Sequence, residues 1–70
     1  MSVAATVSFA TVQTTFPSRD EEHYRLAQKV GERDQQLHDY GRHGYRLANT
    51  VTVTGAEFVT VIDTLTREND

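Results

Sequence analysis

The sequence predicts an α+β domain in the order β-α-β-β, one helix packed on a three-stranded, mainly antiparallel sheet. Three observations carry that expectation. Residues 3–16 are rich in valine and threonine, a polar stretch with apolar residues at helical spacing follows and ends on glycine, and two more β-branched runs are split by Thr54-Gly55. Seventy residues with one proline and no low-complexity tract leave room for a single domain, residues 1–70.

In the first strand Val3, Ala5, Val7 and Phe9 alternate on odd positions, then Ala10, Val12, Thr14 and Phe16 on even ones. The phase switch near Phe9 and Ala10 predicts a bulge, or a strand that begins after Val3. Pro17 ends the strand. Ser18-Arg19-Asp20-Glu21 then has capping-box spacing, with Asp20, Glu21 and Glu22 at the positive end of the helix dipole. Leu26, Ala27, Val30, Leu37 and Tyr40 form a narrow apolar stripe that Arg33 interrupts, and Gly31 weakens the middle of the helix by about 1 kcal/mol relative to alanine. Gly44, with Gly41 as the alternative, supplies a left-handed cap.

Two strands follow, residues 45–53 and 56 to about 65. Thr54 suits a two-residue type I′ turn poorly, so a four-residue loop with the same pairing is equally acceptable. With Val53 opposite Ala56, one face pairs Val51 with Phe58, Asn49 with Thr60, Leu47 with Ile62 and Tyr45 with Thr64. The other pairs Thr52 with Glu57, Thr50 with Val59, Ala48 with Val61 and Arg46 with Asp63. The first, mainly apolar face is expected to lie under the helix.

Composition excludes several classes. Without cysteine there are no disulfides, thiolate metal sites or cysteine nucleophiles. No stretch approaches the roughly 18 apolar residues of a membrane span and no basic leader precedes an apolar run, which predicts a soluble cytoplasmic protein of a bacterium or infected host cell. A net charge of −3 disfavours duplex nucleic acid as a partner. The excess of arginine over lysine and the abundant threonine suit an actinobacterium or one of its phages. A domain this small has a thin core, and with disulfides excluded oligomerisation is the expected source of further stability.

Leu37, Tyr40, Gly41, Gly44, Tyr45 and Leu47 resemble the motif of domain-of-unknown-function family 4177, small bacterial and phage proteins. Members read leucine, two variable residues, leucine, glycine, two variable residues, glycine, tryptophan, one variable residue, leucine. Tyr40 stands at the second leucine and Tyr45 at the tryptophan, and the likeness continues to about Thr66. This chain departs from the pattern at His43 and Arg46, where members often carry acidic residues, and in a first strand without a tryptophan or tyrosine cluster. The resemblance implies the β-α-β-β fold and a non-enzymatic role.

Candidate chemistry is sparse. Arg25, Lys29 and Arg33 lie at i, i+4 and i+8, with Arg42, His43 and Arg46 toward the far end of the helix, a line of cations that suits an anionic ligand such as a nucleotide. A solvated face, partly neutralised by Glu21, Glu22 and Glu32, is the competing reading. Asn49 facing Thr60 is either a bonded polar pair or, with Tyr45, the lining of a small pocket. Asp34 lies one helical turn before His38, but His38 and His43 are five apart across a helix end, where a pair on one face needs three or four, and His23 is distant, so no metal site is expected. No catalytic set or cofactor motif can be named. The face opposite the helix, with Ala48, Thr50, Thr52, Val59 and Val61, is the expected contact between subunits. The sequence thus points to a small non-enzymatic, homo-oligomeric binding or interaction protein. The alternative is a phage anti-defence sponge for an anionic nucleotide or second messenger, and a third is a small nucleic-acid or transcription regulator.

Overall fold

A computed structural model of the chain describes residues 6–17 and 23–69; the predicted Ser18 cap and the start of the first strand lie outside them. The elements are β1 (Thr6–Pro17), α1 (His23–Arg42), β2 (Arg46–Thr54) and β3 (Phe58–Asn69). The strands lie in the order β1-β3-β2, with β3 antiparallel to both neighbours. This is the expected α+β architecture, one helix on a three-stranded antiparallel sheet.

Two details of register differ from expectation. β1 pairs with β3 without interruption from Thr6 to Pro17, so of the two predicted alternatives the bulge near Phe9 is not there, and the other, a start after Val3, falls on residues outside those described. The irregularity falls instead in β2, between Leu47 and Asn49. The β2–β3 ladder also runs further toward the turn: Val53 stands opposite Thr60, and Gly55 N–H donates to Phe58 O at 2.8 Å, leaving Ala56 and Glu57 as the loop. A Cβ at Gly55 would sit 3.1 Å from the Phe58 carbonyl oxygen, so this close approach favours glycine. In this register Asp63 faces Thr50, where the sequence predicts Arg46; Arg46 pairs instead with Glu68 at 3.5 Å.

The helix side of the sheet is identified by Arg33 of α1, which bonds Asp63 of β3. Alternation along the strands then places Ala10, Val12, Thr14 and Phe16 of β1, Val59, Val61 and Leu65 of β3, and Thr50 and Thr52 of β2 on that side. Val12 and Leu65, 1% and 2% exposed, form its apolar centre. The bulge rotates Leu47 into line with Leu65, opposite which it pairs. The predicted subunit face is therefore inverted. Thr50, Thr52, Val59 and Val61 lie under or beside the helix, Ala48 sits at the irregularity, and the open side carries Val7, Phe9, Val51, Val53, Phe58 and Ile62.

The helix runs along β1 and barely reaches β2. Accordingly no helical residue is fully buried and all nine residues of β2 are exposed. The radius of gyration, 15.4 Å, exceeds the roughly 11 Å of a compact chain of this length.

Thr14 carries the one buried hydroxyl without a hydrogen-bond partner among the described residues. Thr14→Val keeps the branched shape and removes an unsatisfied group, so it should raise stability by about 1 kcal/mol in urea unfolding. A loss of stability would mean that the hydroxyl has a partner in solution.

Candidate functional site

Three arrangements gather the polar and aromatic side chains, and the first lies under the helix. Arg33 Nε donates to Asp63 Oδ2 at 2.8 Å and its Nη2 to Oδ1 at 2.9 Å, a two-point fork that fixes the guanidinium plane. Thr50 Oγ1 donates to Asp63 Oδ1 at 2.8 Å. Asp63 is fully buried and Arg33 largely so. The hydrogen bonds from Arg33 hold the Asp63 carboxyl below its ordinary value near 3.8; burial opposes them, and the Thr50 hydroxyl adds to the lowering. The same contact raises the affinity of Arg33 for its proton.

The second arrangement is the corner where α1 gives way to β2. His43 and Tyr45 N–H groups both donate to the Tyr40 carbonyl, at 2.9 and 3.1 Å, and Gly44 N–H to Gly41 O at 3.0 Å. Gly44 takes φ +86°, the left-handed conformation of a helix cap, and a Cβ there would meet Arg67 Cδ at 3.3 Å. Tyr45 stands edge-on to Tyr40, centroids 5.3 Å apart, with the Arg67 guanidinium 4.8 Å from its ring centre. Arg67 also donates to His43 O at 3.2 Å and to Asn69 Oδ1 at 3.3 Å, and Asn69 Nδ2 donates to Ser8 Oγ at 2.8 Å. The end of β3 is thereby tied both to the helix cap and to β1.

The third is the open face of the sheet. Phe9 is 70% exposed, and Val53, Phe58, Val7 and Val51 are each about half exposed. Threonines occupy much of the rest, Thr15 and Thr60 with hydroxyls 3.4 Å apart.

The predicted anion line does not survive as a unit. Arg33 turns inward to Asp63, Lys29 pairs with Glu32 at 3.2 Å, Arg25 is engaged as well, and Arg46 lies on the opposite side of the sheet beside Glu68. Arg42 ends the helix exposed, and the His43 ring Nδ1 lies 2.8 Å from Asp39 O. The proposed pocket is not assembled either. Asn49 faces Thr64 and Thr60 faces Val53, while Tyr45 is packed on Tyr40. Among the described residues no three histidine or acidic side chains gather as a metal site, and no helix is long and apolar enough to cross a membrane. Sequence reasoning missed Asp63 as a helix partner and Arg67 altogether. The available signal was Arg33 itself, a cation set in an apolar stripe, matched by one carboxylate inside a β-branched run.

No family model matches the chain, and neither a curated protein nor a solved structure matches it.

Two outcomes test the buried pair. Asp63→Ala leaves Arg33 and Thr50 without their acceptor and should cost about 3 to 5 kcal/mol in chemical denaturation; a loss below about 1 kcal/mol would show the pair to be incidental. The pH dependence follows from the depressed carboxyl. The unfolded chain protonates Asp63 near pH 4 and the folded chain resists, so this contribution is complete above about pH 4 and is lost as the pH falls through the lower folded value. Asp63→Asn should flatten the acid limb of the stability profile, and an unchanged limb would assign acid unfolding to other carboxylates.

Proposed function

We propose that the protein is a small homo-oligomeric interaction protein, acting through assembly and not through catalysis. The observation that carries this reading is the exposed apolar side of the sheet, with Phe9, Val51, Val53 and Phe58 all about half exposed or more, against a core centred on Val12 and Leu65. Scattered surface hydrophobics are ordinary, but several on one face of a domain short of buried area mark a contact. Pairing of Arg33 with Asp63, Lys29 with Glu32 and Arg46 with Glu68 counts against capture of an anionic nucleotide by the basic line.

Sedimentation of the wild type should give a mass at least twice the 7.9 kDa of one chain at micromolar concentration. A single species of one-chain mass across that range would overturn the proposal.

A further inference from the structure

The two edges of the sheet are guarded only at their ends, β1 by Pro17 and β2 by Arg46. β1 contains no charged residue, and β2 has none after Arg46; the other charges of the sheet, Asp63, Arg67 and Glu68, lie on the central strand. Edge strands of monomeric proteins ordinarily carry charge or proline, because their unpaired N–H and C=O groups template pairing with another chain.

The two edges are not equivalent. β1 ends on Pro17 and is packed along its length by α1, with Val12 and Thr14 buried. β2 has no proline and is exposed on both sides, Leu47 toward the helix layer and Val51 and Val53 on the open face. The bond from Gly55 N–H to Phe58 O fixes which of its backbone groups are free. Hydrogen-bonded and non-bonded pairs alternate along an antiparallel ladder. Val53 and Val51, in step with Gly55, therefore direct their amides to β3, and Thr50, Thr52 and Thr54 direct theirs outward. Arg46 and the irregularity at Ala48 limit the uncharged, regular run to residues 49–54.

We infer that β2 pairs antiparallel with β2 of a second copy about a two-fold axis at Thr52, joining two three-stranded sheets edge to edge. The run is self-complementary: with Thr52 on the axis, Thr50 meets the partner's Thr54 and Val51 meets the partner's Val53, so every outward group finds a partner and no charge meets a like charge. The inference rests on the homo-oligomer reading and adds the contact.

Amide exchange on the wild-type oligomer and sedimentation of two variants test it. The amides of Thr50 and Thr52 should be as protected as those of Val51 and Val53; free exchange at Thr50 and Thr52 in a confirmed oligomer overturns the edge contact and leaves the oligomer standing. Thr52→Pro removes an outward N–H and no hydrogen bond to β3, leaves the Thr50 bond to Asp63 in place, and should sediment as a folded monomer. Gln13→Pro, at an outward position of β1 by the same alternation, should sediment as the wild type. Dissociation by Gln13→Pro with an intact Thr52→Pro oligomer would place the contact at β1 and refute the inference. A wild-type monomer would refute both this and the oligomer reading.

Discussion

The fork between Arg33 and Asp63 is the constraint on which the arrangement of the other elements depends. Across the sheet, Asp63 of β3 lies between Val12 of β1 and Thr50 of β2, and Arg33 of α1 closes over it, so all four elements meet at one carboxylate. The helix has little else to define its seat, since its stripe is narrow and none of its side chains is fully buried. Burying a carboxylate costs several kcal/mol unless its oxygens are matched by donors. A strand slip that parted Asp63 from Arg33 or Thr50 would incur that cost, so the pair acts more as a specifier of register than as a net source of stability.

That dependence explains how the hairpin's register and its orientation differ from what periodicity predicts. The shift in pairing preserves alternation, and odd residues of β2 still share a face with even residues of β3 between Asn49 and Thr54. What periodicity could not decide is which face lies inward. One offers Val51, Phe58 and Ile62, the other Val59, Val61 and Leu65 together with Asp63. Hydrophobicity alone sends the face with the charge outward. The helix carries the complementary cation at Arg33, and an inward arginine changes the sign of that argument.

Element order, the end of β1 at Pro17, the helix cap at Gly44 and the pairing of the last two strands were legible because each follows from local chemistry: a proline without N–H, a glycine able to adopt positive φ, and two β-branched runs joined by a short turn. The bulge at Ala48 was not, because it serves a distant requirement, bringing Leu47 opposite Leu65. Nor was the role of Arg67. Its partners are Tyr45, the His43 carbonyl and Asn69, two of them more than twenty residues away in sequence and joined to it only by the fold. The candidate site was read least well for the same reason: cations aligned on a helix drawing look like a ligand surface until their carboxylate partners are placed.

The distribution of charge bears on how such a thin domain persists. A short chain that remained alone would be expected to guard its sheet edges and to cover its apolar side chains. Here the edges carry no charge but Arg46, the helix barely reaches β2, and the aromatic and valine side chains of the open face stay exposed. Apart from Glu57 in the turn and the Arg46–Glu68 pair at one end of the open face, the charges of the described residues sit where they fix the interior of a single chain, Asp63 under the helix and Arg67 at its cap, or along the outer surface of the helix. Most of the ionic groups therefore specify the fold of one chain, while uncharged backbone and β-branched side chains are left exposed, the groups that the proposed assembly would use. A surface divided in this way is coherent for a subunit, because pairing through a neutral edge satisfies backbone groups without opposing the buried charge that holds each subunit in register.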